Sequence, residues 1–280
     1  MTVRFHPVSS ASRGTSAVPK RETKRAMRDA LRDEESEVRE STLVELVNQK
    51  AIARKDLVSA LQDEDQFVRD TALHIAREIG EDGIKVLKQV LGSKDIDLVI
   101  ESVFLLHELG DRSKKPATAL VGLLLNKEIT GKQHEGEIVR EKVLRALRDF
   151  GNEHIALLVN KLSGDDAVAA MQSLELLGKD AVEALKLGLE SRNSDIRNQS
   201  VNILISEDRG IAKTIVLEAL KSTKPATRAT AASWLKCYGE EKAVQKALKK
   251  ALENEMSSLV RTSAQESLAY IRDDLGLAID

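Results

Sequence analysis

Apolar residues recur along the chain at helical spacing. Val68, Ala72, Ile75, Ala76 and Ile79 fall at i, i+4, i+7, i+8 and i+11, one face of an α-helix. Gly80 follows as a C-terminal stop. The stripe returns as Val139, Val143, Ala146, Leu147 and Phe150 before Gly151, and as Thr227, Ala231, Trp234, Leu235 and Tyr238 before Gly239. A shorter helix is expected ahead of each such stripe, as in Ala243, Val244, Ala247, Leu248, Ala251 and Leu252. Pro116 and Pro225 stand where helices begin, and there a missing N–H costs little. No segment alternates apolar and polar residues with period two, so no sheet is predicted.

The stripes carry a repeated phrase, an apolar residue followed by Arg: Val38-Arg39, Val68-Arg69, Val139-Arg140, Ile196-Arg197 and Val260-Arg261. Thr227-Arg228 is a weaker copy, while Leu98-Val99 and a stretch near Ala167 lack the Arg. The step is 30 residues from Arg39 to Arg69 and 31 from Arg197 to Arg228. It lengthens to 41 from Val99 to Arg140, which marks an insertion around 126–137 (Asn126 to Glu137). One helix pair cannot bury its stripe alone, but stacked pairs bury a continuous core. The prediction is an all-α fold, an α-solenoid of about eight two-helix repeats over residues 20–280.

Composition sharpens this picture. Aromatics make up only 2% of 280 residues, so the core must come from Leu, Val, Ile and Ala. One cysteine, Cys237, excludes an internal disulfide framework and multi-cysteine metal sites. No apolar run reaches the roughly 18 residues of a membrane span, and the first ten residues carry no apolar signal core. A cytoplasmic protein is expected, without membrane contact. Net charge is -2, against wholesale binding to nucleic acid. Seven Lys/Arg nevertheless stand against one acid up to Arg28. Residues 1–19, rich in Ser, Thr, Gly and Pro, read as a flexible basic tail.

The phrase LQDEDQFVRDTALHIAREIG resembles the HEAT repeat, in the short form of phycobilisome-lyase-type HEAT proteins. The resemblance spans roughly residues 20–275. It implies a ladder in which an Asp in the turn and an Arg six residues later run along the stack. Asp33 with Arg39 and Asp63 with Arg69 match, and Glu255 with Arg261 is a variant. Repeats three to seven lack the Asp, so the ladder is expected to break mid-chain. Deoxyhypusine hydroxylase has a similar architecture and places His-Glu pairs at the starts of second helices. Arg39-Glu40, Arg69-Asp70 and Arg140-Glu141 stand there instead, cationic where a metal ligand is needed. HEAT-type alkylpurine DNA glycosylases use exposed aromatic residues. Trp234, the sole Trp, aligns with the core position Ile75. The bilin lyases share the repeat, but no residue pattern marks a bilin site.

Other candidate chemistry is thin. His107-Glu108 and His134-Glu135 are neighbours that point about 100° apart on a helix. His74 and Glu78 have i, i+4 spacing but lack the three ligands a metal site normally needs. Neither metal nor cofactor is expected, and Cys237 reads as an incidental thiol.

Second helices line the inner groove of a HEAT stack. The face opposite the core stripe carries Asp70, His74 and Arg77, then Ile100, Phe104 and His107, then Glu141, Arg145 and Arg148. An exposed aromatic beside cations has the composition of a protein-binding hot spot. The competing reading tucks Phe104 between repeats. Two basic runs remain: Lys20, Arg21, Lys24, Arg25 and Arg28 in the tail, and Lys221 to Lys250 with eight bases and two acids. Neither interleaves aromatics with cations as single-strand binders do. The expectation is a non-enzymatic scaffold that binds another protein on its concave face. The alternative is a nucleic-acid- or ribosome-associated protein using the basic runs. Oligomeric state is open.

Overall fold

The computed structural model describes residues 21–111, 113–126 and 133–277. Residues 1–20, which include the whole of the tail expected over 1–19, lie outside the described residues. The described residues are helical, with no strand among them. None of their helices is long and apolar enough to cross a membrane. The chain divides into two compact units, Met1–Val90 and Leu91–Asp280.

Unit 1 holds α1 (Arg21–Ala30), α2 (Ser36–Asn48), α3 (Arg54–Leu61), α4 (Gln66–Glu78) and α5 (Glu81–Val90). Helix α2 packs on α4, and α3 on both α4 and α5. Their shared core is aliphatic: Leu43, Leu46, Leu57, Leu61, Val68, Ala72, Ile75, Val86 and Leu87 are buried. The start of α4 is set locally, because the Asp65 carboxylate accepts hydrogen bonds from the amides of Phe67 at 2.8 Å and Val68 at 3.4 Å. Its end is set by Gly80, whose φ of +61° favours a residue without a side chain.

Unit 2 holds α6 (Ile96–Glu108), α7 (Lys115–Leu125), α8 (Gln133–Phe150), α9 (Asn152–Val159), α10 (Ala167–Leu177), α11 (Val182–Leu189) and α12 (Ser194–Glu207). It continues through α13 (Arg209–Ala219), α14 (Pro225–Trp234), α15 (Lys242–Asn254) and α16 (Ser258–Asp273). Short 3-10 turns follow α10 and α14, at Gly178–Ala181 and Leu235–Tyr238. Each helix packs mainly on the next and the next but one. That nearest-neighbour pattern defines an α-solenoid. One contiguous core runs from Val99 to Ile271. Within the insertion expected around 126–137, residues from Gln133 onward belong to α8. Trp234 is half-buried and its indole N–H donates to Asn198 Oδ1 at 2.9 Å. Gly239 departs from the expected stop. Its φ is −61°, and a Cβ there would lie 2.5 Å from Ile271 Cγ1, so its small size lets α16 approach.

The recurring Arg braces the stack in two directions. Nη1 of Arg39 donates to the carbonyls of Asp33 and Glu34, at 2.8 and 3.0 Å. Arg69, Arg197, Arg228 and Arg261 likewise reach the carbonyl six residues upstream, at 2.7 to 2.9 Å. These carbonyls sit in turns where no helical N–H can serve them. The other edge of the guanidinium reaches the following repeat. Arg39 grips Asp63 with Nε at 2.9 Å and Nη2 at 2.7 Å. Arg228 grips Glu255 the same way, at 2.7 and 2.9 Å. Such two-point pairing suits the rigid fork of Arg. Motif matching joins Asp63 to Arg69 and Glu255 to Arg261. Those Arg do reach the backbone carbonyls of Asp63 and Glu255, yet the carboxylates are gripped by Arg39 and Arg228 of the preceding repeat. At Arg197 the acceptor is the Thr230 hydroxyl, 3.0 Å from Nε, so a rung persists without a carboxylate.

Candidate functional site

Two helices of unit 1 create a groove that the core pattern does not require. Helices α2 and α4 lie side by side, tied by a 2.9 Å hydrogen bond from the Thr71 hydroxyl to Glu40. Between them runs a groove of about 910 Å3. Its apolar floor is formed by Val44, Val47 and Ile75, and Phe67 lines it beside them. Phe67 is 73% exposed and Val44 45%, and here the two line one groove, a contiguous apolar patch rather than scattered surface residues. Its rim carries Glu40, Asp70, His74 and Glu78, and no Lys or Arg lines it. His74 Nδ1 stands 3.6 Å from Glu78 Oε1. Phe67 sits three residues before Asp70 and seven before His74, on the surface line already read from the sequence. Extending that line by one turn finds it.

The predicted residues separate between the units. His74 and Arg77 are exposed on α4 in unit 1, and Arg77 already has a partner within the protein. The other five belong to unit 2. Ile100 was expected at the surface but is only 7% exposed, packed into the core with Val99, Val103 and Leu120. Helix α6 is apolar on more than half its circumference, so the face opposite its main stripe is covered too. Phe104 is 38% exposed and joins a small ring cluster. Its ring centroid lies 6.4 Å from that of Phe150, while His107 and His154 lie 4.5 and 5.3 Å from Phe150. Phe104 therefore stands partly against Phe150 of α8 and partly open to solvent. Arg145 is exposed. Arg148 is an exposed cation that also braces α8 against the next repeat. Its Nε lies 2.9 Å from Asp180 Oδ2 and its Nη2 donates to the Leu176 carbonyl at 2.9 Å.

Part of each basic run meets neighbours: Arg28 in the first, and four of the eight bases in the second. Lys20 lies outside the described residues, and Arg21 and Lys24 fall in α1. Arg25 is exposed, while Arg28 pairs with Asp56 at 3.3 Å. In the second run Arg228 forms its rung, Lys224 lies 3.4 Å from Glu190, and Lys236 sits 5.3 Å over the Tyr270 ring. Lys242 also has a partner. Among the described residues no group of three His, Cys, Asp or Glu is placed to hold a metal ion. Cys237 is a free, half-buried thiol.

Two rung carboxylates have displaced acidities. Burial alone would raise the Asp63 carboxyl, but hydrogen bonds from Arg39 and the Asp65 amide outweigh it and hold it below the usual range. Glu255 is held down to about 2 by Arg228, with help from the Ser257 amide.

No family model matches the chain, and no curated protein matches it. Among solved structures, an engineered protein is 17% identical over 91% of this chain and 82% of its own, with a TM-score of 0.29. Human deoxyhypusine hydroxylase in complex with glycerol is 18% identical over 90% of this chain and 96% of its own, with a TM-score of 0.31. The karyopherin Kap121p bound to Pho4p is 15% identical over 90% of this chain and 34% of its own, with a TM-score of 0.35. Scores this low leave the internal geometry as the basis for any functional reading.

Proposed function

We propose that this chain is a non-enzymatic helical-repeat scaffold that receives a segment of another protein on the α2–α4 face of unit 1. The observation that carries the reading is Phe67, a large aromatic side chain left 73% exposed over an apolar floor. Aromatic anchors in partly enclosed grooves contribute most of the energy of protein contacts. The aliphatic core and the Arg rungs give that face a rigid frame, so little ordering is needed on binding. The scaffold role follows from this arrangement, as a surface that holds a partner without transforming it.

Capture of partners on immobilised wild-type and Phe67→Ala chains, at low and moderate salt, tests the reading. Captured species are then purified and their affinities measured. A partner anchored on Phe67 survives moderate salt and weakens about tenfold or more on Phe67→Ala. Equal affinities for both chains across every recovered partner refute it. Phe67 is 73% exposed and outside the buried core, so circular dichroism of the variant is expected to match wild type.

A further inference from the structure

We propose that the segment received by the α2–α4 groove is basic: a short stretch of another protein that sets one large apolar side chain against Phe67 and Val44 and places Lys or Arg beside Glu40, Asp70 and Glu78. This inference rests on the reading of the groove as a binding site.

The groove supplies both halves of the recognition. Its apolar floor calls for an apolar side chain, as any hydrophobic groove does. Its rim selects sign, because three carboxylates and one imidazole line it and no Lys or Arg does. Each carboxylate sits on a helix and is therefore fixed in register. Glu40 is oriented by the Thr71 hydroxyl at 2.9 Å, and Glu78 stands beside His74. Asp70 makes no hydrogen bond or ion pair among the described residues and is exposed. Glu37 and Glu45, also exposed on α2, add to the same sign. An acidic segment would bring like charges together over an apolar floor, which costs binding energy and slows encounter.

Length limits the segment further. From Phe67 to Glu78 the groove runs about 16 Å along α4 at 1.5 Å per residue. That distance holds roughly three turns of helix or about five extended residues. Rim charges exposed to water contribute little each, so the apolar anchor provides most of the affinity and the charges provide selection and salt dependence.

The test uses the full chain and three labelled amphipathic peptides of one helical pattern: Leu/Lys, Leu/Gln and Leu/Glu. Fluorescence anisotropy is expected to give Leu/Lys about tenfold tighter binding than Leu/Gln, with Leu/Glu weakest and salt narrowing the gap. Phe67→Ala weakens all binding, whereas the paired change Asp70→Lys and Glu78→Lys weakens Leu/Lys alone and leaves the circular dichroism unchanged. Leu/Gln or Leu/Glu binding as tightly as Leu/Lys, still dependent on Phe67, overturns the basic preference and leaves the groove reading standing. Binding of no peptide dependent on Phe67 removes both. A Phe67-dependent dimer in sedimentation of the chain alone also overturns the proposal, because a second copy then occupies the groove.

Discussion

The rung between Arg228 and Glu255 is a charged joint whose worth depends on pH, and the change Glu255→Gln isolates it. In the folded chain the Glu255 carboxyl titrates at about 2, against about 4.3 in an unfolded chain. Each unit of difference corresponds to about 1.4 kcal/mol, so the shift sets a ceiling of about 3 kcal/mol. The Glu255 side chain is 14% exposed and partly screened, which brings the expected value to about 2 kcal/mol. The sign follows from a depressed folded value. The contribution is complete above about pH 5 and fades as pH falls through 4 toward 2, where the folded carboxyl is half protonated and most of the contribution is gone. Gln mimics the protonated form in shape. Trp234 reports the event, because it is the only Trp and shares α14 with Arg228.

Urea unfolding followed by Trp fluorescence should place the Glu255→Gln midpoint about 1 M below wild type at pH 6, from a slope of about 2 kcal/mol per molar. At pH 2 the two curves should nearly coincide. The many other acids titrate alike in both chains and cancel from the comparison. A difference of the same size at both pH values would show that Glu255 acts by packing rather than charge. No difference at pH 6 would refute the rung as a source of stability.

Three further outcomes test the packing. Gly239→Ala drives a methyl group into Ile271 and should cost about 1–3 kcal/mol, recovered in part by Ile271→Val; thermal unfolding reads both. Tyr238 has a buried hydroxyl without a hydrogen-bond partner among the described residues, and burial pushes its phenol above the ordinary value. Tyr238→Phe should therefore be neutral or stabilising by up to about 1 kcal/mol, and a large loss in the same assay would reveal a missing partner. Asp65→Ala removes the cap of α4 and should cost about 1 kcal/mol, with hydrogen exchange rising first at Phe67 and Val68, whose amides Asp65 now holds.

Helices, their buried stripes and the repeat length follow from neighbouring residues, which is why the sequence alone determined them. Val68, Ile75 and Leu235 are buried as the 3.6-residue period requires. The turn half of each Arg brace is local as well, since the carbonyl lies six residues away. Tertiary structure alone decided which acceptor the other half meets. Arg39 finds an acid 24 residues on, Arg228 one 27 on, and Arg197 a hydroxyl 33 on. Those separations vary with turn length, so a fixed motif spacing assigns the Asp63 and Glu255 carboxylates to Arg69 and Arg261 instead of Arg39 and Arg228. The site divides in the same way. Phe67 and Ile100 are both apolar residues outside their helix's main stripe, yet one is 73% exposed and the other 7%. A helix presents all its faces equally in sequence; only the neighbour packed beside it determines which of them meets water.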